Sequence, residues 1–311
     1  MSFSCSRLLI AGIWILGAGS IHSQNPSVEQ SRLYPRTIPP TSGNITPDGM
    51  ALPEGQRTAS EDESFGAQQI LKTDERIADL TISGNASVYY TSNVALTHHG
   101  EKSDGFFVGD AAISWSPRIN PQLQFQIGGG AALFRYFETN ELDFESLGAG
   151  AGLLWTPQNL WGLAFAVRYD FTELLDSHSN EILEDHEFSL AVQKLLVLGR
   201  SHALSFGLLG SAGISDPFDE QRDQLGFAVG YHLQLTRHLG SDFGYRHSWF
   251  FYNDSGRADL NQVLSLGLHY NITPWATVNA LISGAFNCSD HSAFSYNAFS
   301  SGGGINLTIR F

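Results

Sequence analysis

The chain has 311 residues, of which 42% are hydrophobic and only 15% charged, and its formal net charge is −14. Soluble domains carry about a quarter charged residues, so this composition is poor in charge. The acidic balance excludes nucleic-acid binding, which needs clustered Lys and Arg.

Residues 1–23 read as a secretory signal peptide. Arg7 is a short positive region, and Leu8 to Gly19 (LLIAGIWILGAG) is an apolar core too short to span a bilayer as a helix. Ser23 before Gln24 is the expected cleavage point, and loss of Arg7 takes the charge from −14 to −15. Cys5 precedes the apolar core and so is not placed for lipid acylation. Processing then leaves Cys288 alone, with no intramolecular disulfide and no thiolate metal site expected.

Residues 24–77 have a different composition. Pro26, Pro35, Pro39, Pro40, Pro47 and Pro53 lie here among Ser, Thr, Gln and acidic residues. Such a segment buries too little apolar surface to offset its ordering entropy, so it reads as a disordered periplasmic extension. At its end, Ile70, Ile77 and Leu80 have helical spacing. A frayed linker turn is the favoured reading there, and a short helix plugging the periplasmic mouth the alternative.

Residues 78–311 keep returning to a period of two. Strands are expected at about 79–96, 106–116, 122–137, 144–156, 160–172, 186–198, 203–214, 224–236, 240–252, 261–273, 275–287 and 297–311. In one of them Trp161, Leu163, Phe165, Val167, Tyr169 and Phe171 oppose Gly162, Ala164, Ala166, Arg168 and Asp170. In another, Leu264, Leu266, Leu268 and Tyr270 oppose Ser265, Gly267, His269 and Asn271. This train predicts an all-β, antiparallel transmembrane β-barrel of about twelve strands, its apolar rows toward lipid. A soluble secreted β-protein is the alternative. Mean hydropathy is only −0.10 because each strand is half polar.

The connections alternate as well. Ser116–Pro121, Thr156–Asn159, Gly199–His202, Thr236–Leu239 and Thr273–Pro274 are short. Between them come Thr97–Gly105, Thr139–Asp143, Thr172–Asp185, Ser215–Asp223, Asn253–Asp259 and Cys288–Tyr296, mostly longer and polar. Membrane barrels have short periplasmic turns and longer external loops, and an even strand number puts both ends of the barrel in the periplasm. Trp115, Trp155, Trp161 and Trp275 abut the short turns, with Trp249 near the opposite rim, which reads as an aromatic girdle. The last strand alternates Ile305, Leu307, Ile309 and Phe311 against Asn306, Thr308 and Arg310.

Inward parity collects Asp110, Arg168, Asp170, Lys194, His232, Asp242, Arg246, His269 and Arg310 among Gly, Ala, Ser and Gln. Arg168, Asp170, Asp242, Arg246, His232, His269 and Arg310 are the candidate constriction of a pore for passive diffusion of small polar solutes. The same charges pairing across a filled lumen would instead make a non-conducting structural or adhesion barrel with acidic external loops. A third reading, an outer-membrane lipid hydrolase, rests on His247 in Tyr245–Tyr252 (YRHSWFFY). Ser248, adjacent in a strand, points to the opposite face and cannot partner it. His98 and His99 lie in a loop with no neighbouring motif. No catalytic set, cofactor or metal site is expected; the acidic loops lack calcium-loop spacing, and Cys288 near His291 is taken as incidental.

Two stretches carry a family resemblance. Ala86–Leu96 (ASVYYTSNVAL), and Ser241–Thr273 with its GYR strand and LSLGLHYNIT, resemble the β-barrel porin type of Gram-negative bacteria. The closing strand with its aromatic end, Phe311, is similar to bacterial outer-membrane barrels, whose assembly machinery reads that residue. The resemblance implies an outer-membrane location and a pore, with outer-membrane lipid, the barrel-assembly machinery and periplasmic chaperones as partners. It carries over no binding residue.

Overall fold

The structure is a computed structural model that describes residues 25–33, 79–199 and 201–311. Thirteen strands follow in chain order: β1 (Leu80–Thr91), β2 (Asp104–Trp115), β3 (Arg118–Asn120), β4 (Leu123–Tyr136), β5 (Phe144–Trp155), β6 (Leu163–Asp176), β7 (Glu181–Gly199), β8 (His202–Asp216), β9 (Arg222–Gln234), β10 (Leu239–Tyr252), β11 (Ala258–Thr273), β12 (Ala276–Ser289) and β13 (Tyr296–Arg310). β3 is a three-residue strand in the turn before β4. The other twelve pair antiparallel with their neighbours, β2 with β4 and β1 with β13, so the sheet closes on itself. The transmembrane barrel expected from the alternation is the observed fold.

Closure satisfies the backbone. Lipid offers no hydrogen bonds, and an open edge there would leave a row of N–H and C=O groups unpaired. The seam runs from Thr81 opposite Arg310 to Thr91 opposite Ser300. Phe311 extends it, donating its N–H to Leu80 O at 2.9 Å and accepting from Leu80 N at 3.3 Å. The terminal residue thus belongs to the ladder that shuts the barrel.

Register sorts the side chains into two faces. Outward rows are apolar and exposed, such as Leu264, Leu266 and Leu268 on β11 and Ile305, Leu307 and Ile309 on β13. Trp115, Trp155, Trp161 and Trp275 stand exposed at the short-turn end, and Trp249 lies near the long-loop end. One polar residue falls on the opposite face from that expected. Lys194 is in register with Leu163 and Phe206, both outward, so it faces out near the short-turn rim. Ala191 and Leu195 turn inward beside Gln193, and this apolar content hid the parity of β7. A long ammonium side chain at that height reaches the headgroups.

The long connections are partly strand. β6 runs on to Asp176 and β7 begins at Glu181, so most of the expected Thr172–Asp185 loop is a paired hairpin. Leu174 and Leu183 are buried there, while the charged Glu173 and Glu184 oppose each other. The charge suggested a loop; it marks strand standing above the apolar band.

The described part of the N-terminal region differs from a structureless periplasmic segment. Pro26–Leu33 is a helix, α1, with Val28, Glu29 and Gln30 all buried. Asn25 caps it by accepting from Ser27 N at 3.0 Å, and Pro26 takes the first helical position, where its missing N–H costs nothing. The stretch holding Phe65, Ile70 and Ile77, proposed as a linker turn or a periplasmic plug, lies outside the described residues.

Placing arginine on the two faces of β11 tests this arrangement. Leu266→Arg, at mid-strand toward lipid, is expected to destabilise the barrel by about 2–4 kcal/mol. Ser265→Arg, facing the lumen, is expected to cost far less. Urea unfolding in lipid vesicles reads both, and equal losses would contradict the facing.

Candidate functional site

The lumen has two parts with opposite character. Toward the short-turn end the expected charges pair within the wall. Arg168 donates through NH2 to Asp170 Oδ1 at 2.6 Å and through Nε to Oδ2 at 3.2 Å, and reaches Gln126 at 3.4 Å. Both lie flat over β5, where a Cβ on Gly150 would collide with the Asp170 carboxylate. Asp242 takes two imidazoles, His232 Nδ1 at 2.7 Å and His269 Nδ1 at 3.0 Å, the rings stacked 5.6 Å apart. Gly240 makes room for the His269 ring, which any Cβ there would strike. Asn85 donates to Asp110 at 2.9 Å.

These groups keep contact with solvent. Side chains of Arg168, His232, Asp242 and His269 are 24%, 27%, 21% and 24% exposed, and all face the lumen. Arg246 has the same parity on β10, in register with Ala228 and Val263. Arg310 has inward parity opposite Thr81 but sits exposed at the rim, below the other charges. The fold therefore assembles two of the expected clusters, with Arg246 on the same inward face and Arg310 apart at the rim.

At the long-loop end α1 lies inside the lumen. Val28 joins a buried apolar cluster with Val94, Phe106, Phe134, Phe144, Leu174 and Leu183, drawn from β2 to β7 and the β1–β2 loop. Leu33 packs against Leu96, Tyr296 and Ala298. Gln30 donates to Val94 O at 2.9 Å, and Ser27 Oγ donates to Leu142 O at 3.2 Å. One short helix so touches most of the circumference.

Its charges are matched. The Glu29 carboxylate accepts from Arg32 at 2.9 Å and from the Tyr252 hydroxyl at 3.2 Å, with Arg222 NH1 3.5 Å away. Arg32 in turn donates to Glu220 Oε2 at 3.4 Å and to Glu220 O at 3.0 Å. The Glu29 side chain is 5% exposed and that of Arg222 is 12%. Burial would raise the Glu29 pKa, but Arg222, then Arg32 and Arg257, outweigh it and hold it at about 2. Burial pushes Glu220 the other way, upward, with Arg32 opposing.

The sequence reading did not single out Asn25, Glu29, Arg32, Arg222 or Arg257, and took Glu220 only as an acidic loop residue and Tyr252 only as part of the outer aromatic rim. The one local signal is Asn25-Pro26, a cap followed by the residue suited to a first turn. The partners on the barrel lie about 190 to 220 residues away in sequence, as in the 195 separating Asn25 and Glu220 and the 223 separating Tyr252 and Glu29.

The outer-wall histidine stands among rings. His247 stacks on Phe227 at 5.0 Å, meets Trp249 edge-on at 4.4 Å and lies 3.2 Å from the Tyr245 hydroxyl. Across the ladder it faces Phe227 and Gln262. Ser248 is fully buried on the lumen side, accepting from Gln224 at 3.1 Å.

No family model and no curated protein sequence matches this chain. Among solved structures it is similar to an outer membrane channel from Pseudomonas putida F1, at 10% identity over 75% of this chain and 96% of that one, with a TM-score of 0.55. The fold is that of an outer-membrane β-barrel. A bacterial polysaccharide outer membrane secretin (13% identity, 76% and 99% covered, TM-score 0.44) is a more distant likeness. The KdgM porin in complex with disordered oligogalacturonate (6%, 72% and 98%, TM-score 0.41) is another. At these identities the likeness establishes the shared fold alone.

Truncating one member of a buried charge network costs about 3–5 kcal/mol, so Glu29→Ala is expected to release α1. The pH dependence follows from the sign of the shift. A carboxyl held near 2 against an ordinary 4.5 stabilises docking fully above the higher value and loses that contribution as pH falls toward 2. Thermal unfolding should therefore show a gap between the wild type and Glu29→Gln that is constant from pH 7 to 5 and closes below. A gap that already closes at pH 6 would contradict the assignment.

Proposed function

We propose that this chain is an outer-membrane channel for small polar solutes whose outer mouth is closed by its own N-terminal helix. The observation that carries the reading is the contrast along the lumen. Below, the side chains of Arg168, His232, Asp242 and His269 are 24%, 27%, 21% and 24% exposed, with Asp170 at 11%, whereas Glu29, Arg32, Arg257 and Arg222 are 5%, 6%, 6% and 12% exposed above. A barrel filled for strength alone has no reason to leave Arg168, His232, Asp242 and His269 partly exposed on the lumen. Twelve strands are intermediate between barrels filled by side chains at about eight and open channels at about sixteen.

In this reading the short turns and Phe311 face the periplasm and the long hairpins face outward, as the loop asymmetry of such barrels requires. Arg168–Asp170 and His232–Asp242–His269 line the path below the helix, both signs present, so passage is set more by size than by charge. The chain acts without enzymatic chemistry in this account. The rings around His247 support a role in the aromatic girdle.

A second reading is a non-conducting barrel with acidic loops, favoured by the sealed outer mouth. Single-channel recording separates the two. The mature chain is expected to be closed or nearly so, and a form lacking residues 24–33 to give discrete conductance steps. A folded, inserted barrel that stays silent without the helix would remove the channel reading.

A further inference from the structure

We propose that the pocket holding Glu29 is a binding site for organic carboxylates, and that Glu29 is its resident occupant, displaced by solute. The inference rests on the channel reading for the direction in which solute meets the site.

The pocket belongs to the barrel and not to the helix. Arg222 lies over the Phe250 ring at 3.9 Å, and Arg257 is clamped between Tyr252 at 3.5 Å and Phe294 at 4.0 Å. Cation–π contacts of this kind fix a guanidinium where it stands. The arginines are therefore set in place when α1 is absent, and their free edges present donors to whatever carboxylate arrives. The Tyr252 hydroxyl supplies a further donor, as its 3.2 Å contact to Glu29 shows. On the barrel side, no rearrangement is needed to exchange one carboxylate for another.

The occupant also describes the ligand. Glu29 presents its charge to this basic wall while the neighbouring Val28 packs against the aromatic wall opposite, around Phe106 and Phe134. A solute that satisfies both walls has one carboxylate on an apolar body. A neutral amide of the same shape leaves Arg222 without an anion, while Arg257 keeps Asp259 at 3.3 Å, and gains little. The strong downward pull on the Glu29 carboxyl, in spite of its burial, shows that the field here favours a negative charge, with Arg222 the largest favourable contributor.

Competition has a built-in scale. A tethered occupant is present at an effective concentration in the millimolar range, so displacement needs solute at about 10–100 mM. Trypsin reads it directly. The Arg32 side chain is 6% exposed in the docked helix, so cleavage after Arg32 requires α1 to leave the lumen.

The test uses the full mature chain in detergent or lipid, with benzoate as probe and benzamide and sodium chloride as controls. At about 50 mM, benzoate is expected to speed cleavage after Arg32 by about tenfold over equal chloride, with benzamide inert. Arg222→Gln is expected to cleave faster at baseline and to lose the benzoate dependence. If that variant fails the heat-modifiable migration of a folded barrel, Arg257→Gln takes its place. Equal acceleration by benzamide, or none by benzoate, would overturn the proposal. Persistence of the benzoate effect in the arginine variant would do the same. Since no current is measured, a silent barrel that still releases its helix to benzoate removes the channel and keeps the site. A conducting barrel insensitive to benzoate does the reverse.

Discussion

A chain that crosses lipid as strands must leave no backbone edge unpaired, and everything else in this structure follows from that closure. The ladder between β1 and β13, carried to the last residue by the Leu80–Phe311 pair, turns a sheet into a wall with an inside and an outside. Once closed, alternation does two jobs at once. Outward positions meet hydrocarbon, and inward positions meet water or one another. The glycines beneath Arg168 and His269 show the same constraint at side-chain scale, since a narrow lumen holds a long polar group only where the facing wall is thin.

The helix at the outer mouth depends on that enclosure. An isolated helix of eight residues is not stable in water, because nucleation is costly and few bonds repay it. Inside the barrel the same residues lose their solvent exposure and gain a matched set of partners. Glu29 meets barrel arginine and tyrosine, Arg32 meets a loop carboxylate, and Val28 meets an aromatic wall. A buried pair of this kind contributes specificity and position more than net stability. A closure built on it is reversible in principle by any group offering the same charge, which connects the closed state to the solute proposed to open it.

How much was legible in the sequence depended on how local the signal is. Strands show a period of two within ten residues, so their number, faces and order could be read, including the Arg168–Asp170 and His232–Asp242–His269 groups that share a face. Lys194 was misplaced because inward Ala191 and Leu195 blurred that period on β7. The hairpin around Leu174 and Leu183 looked like a loop because its outward residues are acidic. The helix was hidden for a different reason. Amphipathic patterning detects helices that bury an apolar stripe. Pro26–Leu33 buries Ser27, Glu29 and Gln30 beside a single apolar residue, Val28, so it has no stripe to find. Its partners, such as Glu220 and Tyr252, come from distant loops and strand ends, a pairing that no window along the chain contains.

The central claim is that α1 is docked inside the barrel and held there by Glu29. Hydrogen exchange of the 27–33 amides in the reconstituted mature protein tests it most directly. The account predicts protection of these amides far beyond that of a free peptide, abolished by Glu29→Ala while the strand amides stay protected. Exchange of 27–33 within seconds in the wild-type protein, alongside protected strands, would contradict it.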